Sequence, residues 1–132
     1  YLQLKKIKKF NKARNKIASS YNSKLSKITN KIKIPYIPKG FTHSFQMYTI
    51  TVEAKLRNKL LNFLKKNNIE ASAHFDPPLH LQKYLKKYNK KRLTETEKLS
   101  KQIITLPIFP DMTKKEVTYV TETINRFYKD NN

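Results

Sequence analysis

Residues 44–52 read Ser-Phe-Gln-Met-Tyr-Thr-Ile-Thr-Val, and residues 54–66 read Ala-Lys-Leu-Arg-Asn-Lys-Leu-Leu-Asn-Phe-Leu-Lys-Lys. The first run alternates and is rich in β-branched and aromatic residues, which predicts a strand. The second takes up helical spacing, with Leu56, Leu60, Phe63 and Leu64 on one face. A strand followed at once by an amphipathic helix decides for mixed structure, and the pattern continues outward from this pair. Residues 2–28 hold no Gly or Pro and place Ile7, Phe10, Ile17, Tyr21, Leu25 and Ile28 near one face. They predict one helix of roughly 40 Å at 1.5 Å per residue. Such length in a small domain predicts that one end lies against something outside it. Residues 32–40, with Pro35, Pro38 and the only Gly, form a connector. Further on, residues 69–75 predict a second strand, Pro77-Pro78 a turn and residues 79–88 a short helix. Thr94-x-x-Glu97 and Thr113-x-x-Glu116 are capping-box patterns for two more helices. Between them residues 103–106 predict a third strand, stopped by Pro107 and Pro110. The last helix turns Val117, Val120, Ile124 and Phe127 inward. The expectation is an α+β fold: a small, three-stranded, mainly antiparallel sheet packed with helices and preceded by a long N-terminal helix.

At 132 residues the chain is one domain by length. Lys and Arg total 29 against 9 Asp and Glu, a net charge of +20, yet only Arg14, Arg57, Arg92 and Arg126 are arginines. Specific readers of bases and phosphates lean on the bidentate arginine fork. The lysines run from Lys5 to Lys129 rather than in one block. This composition reads as a solvated, lysine-coated surface with weak, nonspecific affinity for polyanions and no specific nucleic-acid partner. The absence of Cys removes disulfides, thiolate metal sites and Cys nucleophiles. The apolar stretches at residues 48–52 and 103–109 are far short of a bilayer span. No signal segment is visible either, so a cytoplasmic location is expected.

The histidines are His43, His74 and His80. The segment His74-Phe75-Asp76-Pro77-Pro78-Leu79-His80 could be scanned as a two-His-one-carboxylate triad, but a rigid Pro-Pro turn separates its ends, and no metal is expected. It reads either as a proline-stiffened surface loop or as a rigid loop presenting His74 and His80 to a ligand. A single Gly rules out a nucleophile elbow, a P-loop and a dinucleotide fingerprint. Glu95, Glu97, Glu116 and Glu122 sit at helix starts or on helix surfaces, where capping accounts for them. Phe45, Tyr48 and Phe75 are expected in the core. By itself the chain does not read as a complete enzyme.

Four blocks in order resemble one family. Gln3-Leu4-Lys5-Lys6-Ile7 with Arg14, Ile17, Ala18 and Tyr21 resembles a QLxKI…R..IA..Y helix. His43-Ser44-Phe45-Gln46-Met47-Tyr48 resembles a strand of the form H-x-Y/F-x-x-Y. Residues 73–82, Ala-His-Phe-Asp-Pro-Pro-Leu-His-Leu-Gln, resemble an H-Y/F-x-P-x-H-x-Q loop. Thr96-Glu97-Lys98-Leu99-Ser100 with residues 104–110 resembles TExLS…ITLPxxP. Together they resemble the C-terminal small domain of the DegT/StrS-type sugar aminotransferases, pyridoxal-phosphate enzymes of fold type I.

The resemblance implies a division of the chain into a long interdomain-type helix, residues 1–30, and a small α+β domain, residues 31–132. The large domain is absent here, and with it the aldimine lysine, the Asp for the pyridine nitrogen and an upstream Asn-Tyr-Arg segment. In the full-length enzyme the implied reaction moves an amino group, usually from glutamate, onto a keto carbon of a nucleotide-linked sugar, with pyridoxal phosphate as cofactor. The implied assembly is a homodimer. For this chain alone it implies no catalytic residue, no bound cofactor and no activity. Its share is a substrate-closing loop and dimer contacts, with His74 and Phe75 as substrate contacts and His80 behind them. Phe75 stands where the family often has Tyr, so a hydroxyl contact is lost. Two other readings stand beside this one: a basic polyanion-binding module, and an inactive truncated remnant.

Overall fold

The computed structural model describes residues 2–28, 30–88 and 91–131. Helix α1 (Leu2–Leu25) leads into a 3-10 turn (Ser26–Ile28) and strand β1 (Ile32–Lys33). Strand β2 (Tyr48–Val52) and helix α2 (Ala54–Lys66) follow, then two 3-10 segments (Leu79–Leu81 and Lys83–Tyr88). Helix α3 (Thr94–Ser100), strand β3 (Ile103–Leu106) and helix α4 (Lys114–Asp130) complete the chain. The sheet runs β1-β2-β3 and is antiparallel throughout, with Tyr48 opposite Leu106 and Ile50 opposite Ile104. The period of two along β2 buries Tyr48, Ile50 and Val52 and leaves Thr49 and Thr51 half-buried. Helices α1 and α2 both pack against α4.

The α+β class and the strand count agree with the sequence reading, but the membership of the sheet does not. The expected strand at residues 69–75 is a single bridge, in which Ser72 and Thr105 exchange hydrogen bonds of 3.1 and 2.8 Å. Asn68 (φ 56°) and Phe75 (φ 61°) lie in the left-handed region and turn the chain away on both sides. The third strand is instead Ile32–Lys33, inside the expected connector, where Ile32 pairs with Val52 and is buried. Residues 44–47 do not join β2, because Phe45 adopts φ 47°. The segment at residues 79–88 is 3-10 rather than α-helical, and α1 tightens into 3-10 after Leu25. Tyr1 and Thr29, counted with the first helix by its sequence, lie outside the described residues.

Two expectations about faces are also corrected. On α1 the core takes Ile17, Ala18, Tyr21 and Leu25, whereas Leu4 and Ile7 stay 67% and 46% exposed. That N-terminal end reaches past the sheet and has no core to enter. On α3 the cap is Leu93, not Thr94, and only Glu97 contributes, accepting from the Leu93 amide at 3.2 Å. At α4 the full capping box forms: the Glu116 amide donates to the Thr113 hydroxyl at 3.2 Å, and the Thr113 amide donates to the Glu116 carboxylate at 2.6 Å. Thr113→Ala is expected to lower stability by about 1 kcal/mol, read as a shift in the urea midpoint.

Tyr21 and Tyr48 stack at 4.7 Å between α1 and the sheet and are fully buried. Burial raises both phenols above their ordinary value, and for Tyr21 the neighbouring Tyr48 and Glu116 add to it. Tyr128 is pushed up to about 12 by burial and by Glu53. An unfolded chain ionises its tyrosines near pH 10 while the folded one keeps these protons. The stability they support is therefore complete below about pH 10 and is lost as pH rises through the folded values. The denaturant midpoint is expected to fall between about pH 8 and about pH 11, and less so in Tyr128→Phe. Among the described residues no helix is long and apolar enough to cross a membrane.

Candidate functional site

The loop that carries the candidate residues begins where Ser72 leaves its bridge to Thr105 of β3. It turns at His74 and Phe75, passes the cis Asp76-Pro77 bond and ends in the 3-10 turn at Leu79. Its anchor is Arg57 of α2, a buried guanidinium on the apolar side of that helix. Arg57 Nη2 donates to the Asp76 carboxylate and, at 3.3 Å, to the Ser100 carbonyl, while Nε donates to the Lys101 carbonyl at 3.2 Å. One planar side chain thereby ties the loop to the end of α3. A charge so buried persists because its Nε and Nη2 donors meet three acceptors, one of them a carboxylate.

His74 is exposed, and its Nδ1 shares a 2.9 Å hydrogen bond with the Ser72 hydroxyl. It lines an open cleft of about 410 Å³ with Gln46, Met47, Glu70, Ser72, Thr105 and Ile108. With Nδ1 engaged, Nε2 is the ring atom available to donate to or accept from a ligand oxygen. Phe75 sits beside it, ring centroids 6.2 Å apart, and is 64% exposed rather than in the core where its composition class would put it. Phe45 and Tyr48 are buried as expected.

His80 is drawn elsewhere. Its Nε2 meets the Glu97 carboxylate at 3.3 Å, and the same carboxylate accepts from Arg92 Nε at 3.3 Å. Desolvation would raise the Glu97 carboxyl, but the bonds from His80, Arg92 and the Leu93 amide outweigh it and hold it below the ordinary value. His80 thus helps fix α3 and does not line the cleft that holds His74. Asp76 is engaged by Arg57, and among the described residues no three His, Cys, Asp or Glu side chains gather closely enough to hold a metal ion.

His43 serves the backbone. Its Nδ1 accepts from the Phe45 amide at 2.9 Å, its carbonyl accepts from Asn15 Nδ2 at 2.8 Å, and the next carbonyl accepts from Arg14 Nε at 3.0 Å. These bonds dock residues 43–45 on α1 beside the cleft. Sequence reasoning passed over Asn15 and Arg57 as functional positions. For Arg57 a signal was present: it shares the spacing of Leu60, Leu61 and Leu64, a place where an exposed cation has no reason to be.

Pyridoxal phosphate, which the resemblance implies, requires an amine in a desolvated pocket and a cradle of backbone N–H groups for its phosphate. None of the lysines whose side chains are described is buried, and Gly40, the only glycine, lies in an exposed turn. The residues described here do not fit the cofactor unaided.

The model of the DegT/DnrJ/EryC1/StrS aminotransferase family matches residues 1–125. Among similar proteins, the "Pleiotropic regulatory protein" of Geobacillus stearothermophilus is 32% identical over 126 residues, covering 93% of this chain and 33% of that one. GDP-perosamine synthase of Escherichia coli O157:H7 is 30% identical over 129 residues, covering 97% and 34%. The fold is also that of the aminotransferase TlmJ from Streptoalloteichus hindustanus, with a TM-score of 0.88 at 22% identity over 98% of this chain and 34% of that one. The chain spans about a third of the length of the relatives it matches. With a match that takes in α1, the sheet, the His74 loop and most of α4, the chain belongs to the DegT/DnrJ/EryC1/StrS aminotransferase family.

Proposed function

We propose that this chain is the C-terminal part of a pyridoxal-phosphate-dependent aminotransferase acting on a nucleotide-linked keto-sugar, and that its role there is to close over the substrate and contribute dimer contacts. The division into an interdomain-type helix, residues 1–30, and a small domain, residues 31–132, belongs to the same reading. The observation that carries it is the Arg57-anchored loop, which stands His74 on an open cleft within a chain that matches the family from residue 1 to residue 125. The nucleotide-sugar named in GDP-perosamine synthase supports the substrate class.

Within that enzyme His74 is the substrate contact, its Nε2 meeting a phosphate or sugar oxygen. Phe75 offers a ring face and no hydroxyl, and His80 supports the loop from behind through Glu97. The tie from Arg57 to Asp76 and the paired prolines Pro77-Pro78 restrict the loop, which limits the entropy lost on binding. The cofactor and its lysine come from outside this chain, so the chain alone performs no amino transfer.

The coding sequence immediately upstream of Tyr1 tests the reading. An open frame carrying Asn-Tyr-Arg and a lysine-bearing large domain supports it, while a start codon or a stop there removes the catalytic role. In the longer enzyme His74→Ala is expected to raise KM for the nucleotide-sugar about tenfold, the scale of one charge-assisted hydrogen bond, with the glutamate half-reaction unchanged. Equal loss in both halves would assign His74 to structure.

A further inference from the structure

Ser72 is where the candidate loop leaves the sheet, and its backbone is fixed there twice. Its amide donates to the Thr105 carbonyl at 3.1 Å, and its carbonyl accepts from the Thr105 amide at 2.8 Å. Thr105 is tied in turn to β2, its hydroxyl 3.1 Å from that of Thr49. The Ser72 side chain thus hangs from a backbone set by β3 and its neighbour rather than by the loop. The His74 ring is brought back to this point, with Nδ1 2.9 Å from Ser72 Oγ.

Two proton arrangements satisfy that distance. In one, the Ser72 hydroxyl donates to Nδ1 and the neutral ring carries its proton on Nε2. In the other, Nδ1–H donates to Oγ, and both the hydroxyl proton and the Nε2 lone pair are left to find partners. Among the described residues, His74 Nδ1 is the only hydrogen-bond partner of Ser72 Oγ. A ligand that displaces water from the cleft would strand the hydroxyl proton in the second arrangement, the costly outcome for a polar group. The first arrangement leaves only Nε2–H to be met.

We propose that Ser72 is a positioning residue whose hydroxyl holds His74 in the Nε2-protonated tautomer, so that the ring offers a donor and selects an acceptor oxygen of the substrate. The proposal rests on His74 being the substrate contact. No Lys or Arg lines this cleft among the described residues, so no cation there duplicates the donor. A ligand group that must itself donate, such as an ammonium, is disfavoured at the same position.

Nitrogen NMR of the 132-residue chain with isotopically labelled histidine rings reads the tautomer, and with three histidines the assignment is simple. His43 is the internal reference, because its Nδ1 accepts from the Phe45 amide. At about pH 9, above the ordinary imidazole range, His74 is expected to match it, with a pyridine-type Nδ1 and a pyrrole-type Nε2. Ser72→Ala is expected to draw the two nitrogen shifts together as the tautomers mix, and Ser72→Thr to restore their separation. A protonated Nδ1 in the unaltered chain, or a Ser72→Ala spectrum identical to it, would overturn the proposal. In the longer enzyme Ser72→Ala is expected to raise KM for the nucleotide-sugar about threefold with kcat unchanged. It is expected to add nothing to His74→Ala, since it acts only through that ring. Additive losses in the double variant would make Ser72 structural and defeat the assignment. An unchanged KM in His74→Ala would remove the substrate contact and with it the selected oxygen, and the spectra alone would then show whether Ser72 sets the ring.

Discussion

Replacing Arg57 with leucine is expected to lower the unfolding free energy by about 2–3 kcal/mol, the cost of leaving buried partners of a charged donor unmet. The guanidinium serves three acceptors at once: the Asp76 carboxylate and the carbonyls of Ser100 and Lys101. Asp76 is about a third exposed and can turn to water, which keeps the loss below that of breaking a fully buried pair. The two carbonyls have less freedom, because they lie at the end of α3 where no helical partner reaches them. Arg57→Lys is expected to recover less than half of the loss, since an ammonium cannot reproduce a planar fork with two faces of donors. Urea denaturation reads the total. Amide exchange locates it, with protection expected to fall at the Ser72 amide and through the turn at residues 79–82 before it falls in the sheet. A variant with an unchanged midpoint would show that the anchoring contributes nothing to stability.

Tyr21→Ala is expected to be the most damaging single truncation, at about 3–5 kcal/mol. Tyr21 is fully buried, stacks on Tyr48 and donates from its hydroxyl to the Pro107 carbonyl at 2.9 Å. It therefore joins α1 both to β2 and to the turn that follows β3. Tyr21→Phe separates the two contributions. It keeps the stacked ring and loses only the hydrogen bond, so about 1 kcal/mol is expected. If Tyr21→Phe proved as costly as Tyr21→Ala, the polar contact to Pro107 rather than packing would hold α1 in place. Thermal and urea unfolding of the pair of variants decide between them.

Much of the fold was legible because the signals were local. The switch from a period of two to a period of 3.6 around Val52 and Ala54 marks β2 and α2, and Thr113-x-x-Glu116 marks the start of α4 to the residue. At α3 the same local pattern misled, because Glu97 is shared among Leu93, His80 and Arg92 and the box with Thr94 does not form. The order of the four sequence blocks carried the family, which the match over residues 1–125 then showed.

The sequence by itself determined the α+β class, the inward face of α4, the Leu60 and Leu64 positions of the α2 face, and the family. Each of these depends on residues within a turn or two of one another or on the linear order of motifs. Only the tertiary structure decided that Ile32–Lys33, and not residues 69–75, completes the sheet, that His74 stands on the cleft while His80 goes to Glu97, and that Arg57 anchors the loop between them. The physical reason is distance along the chain. Arg57 meets Asp76 across 19 residues and Lys101 across 44, and no periodicity in the sequence encodes a partner so far away.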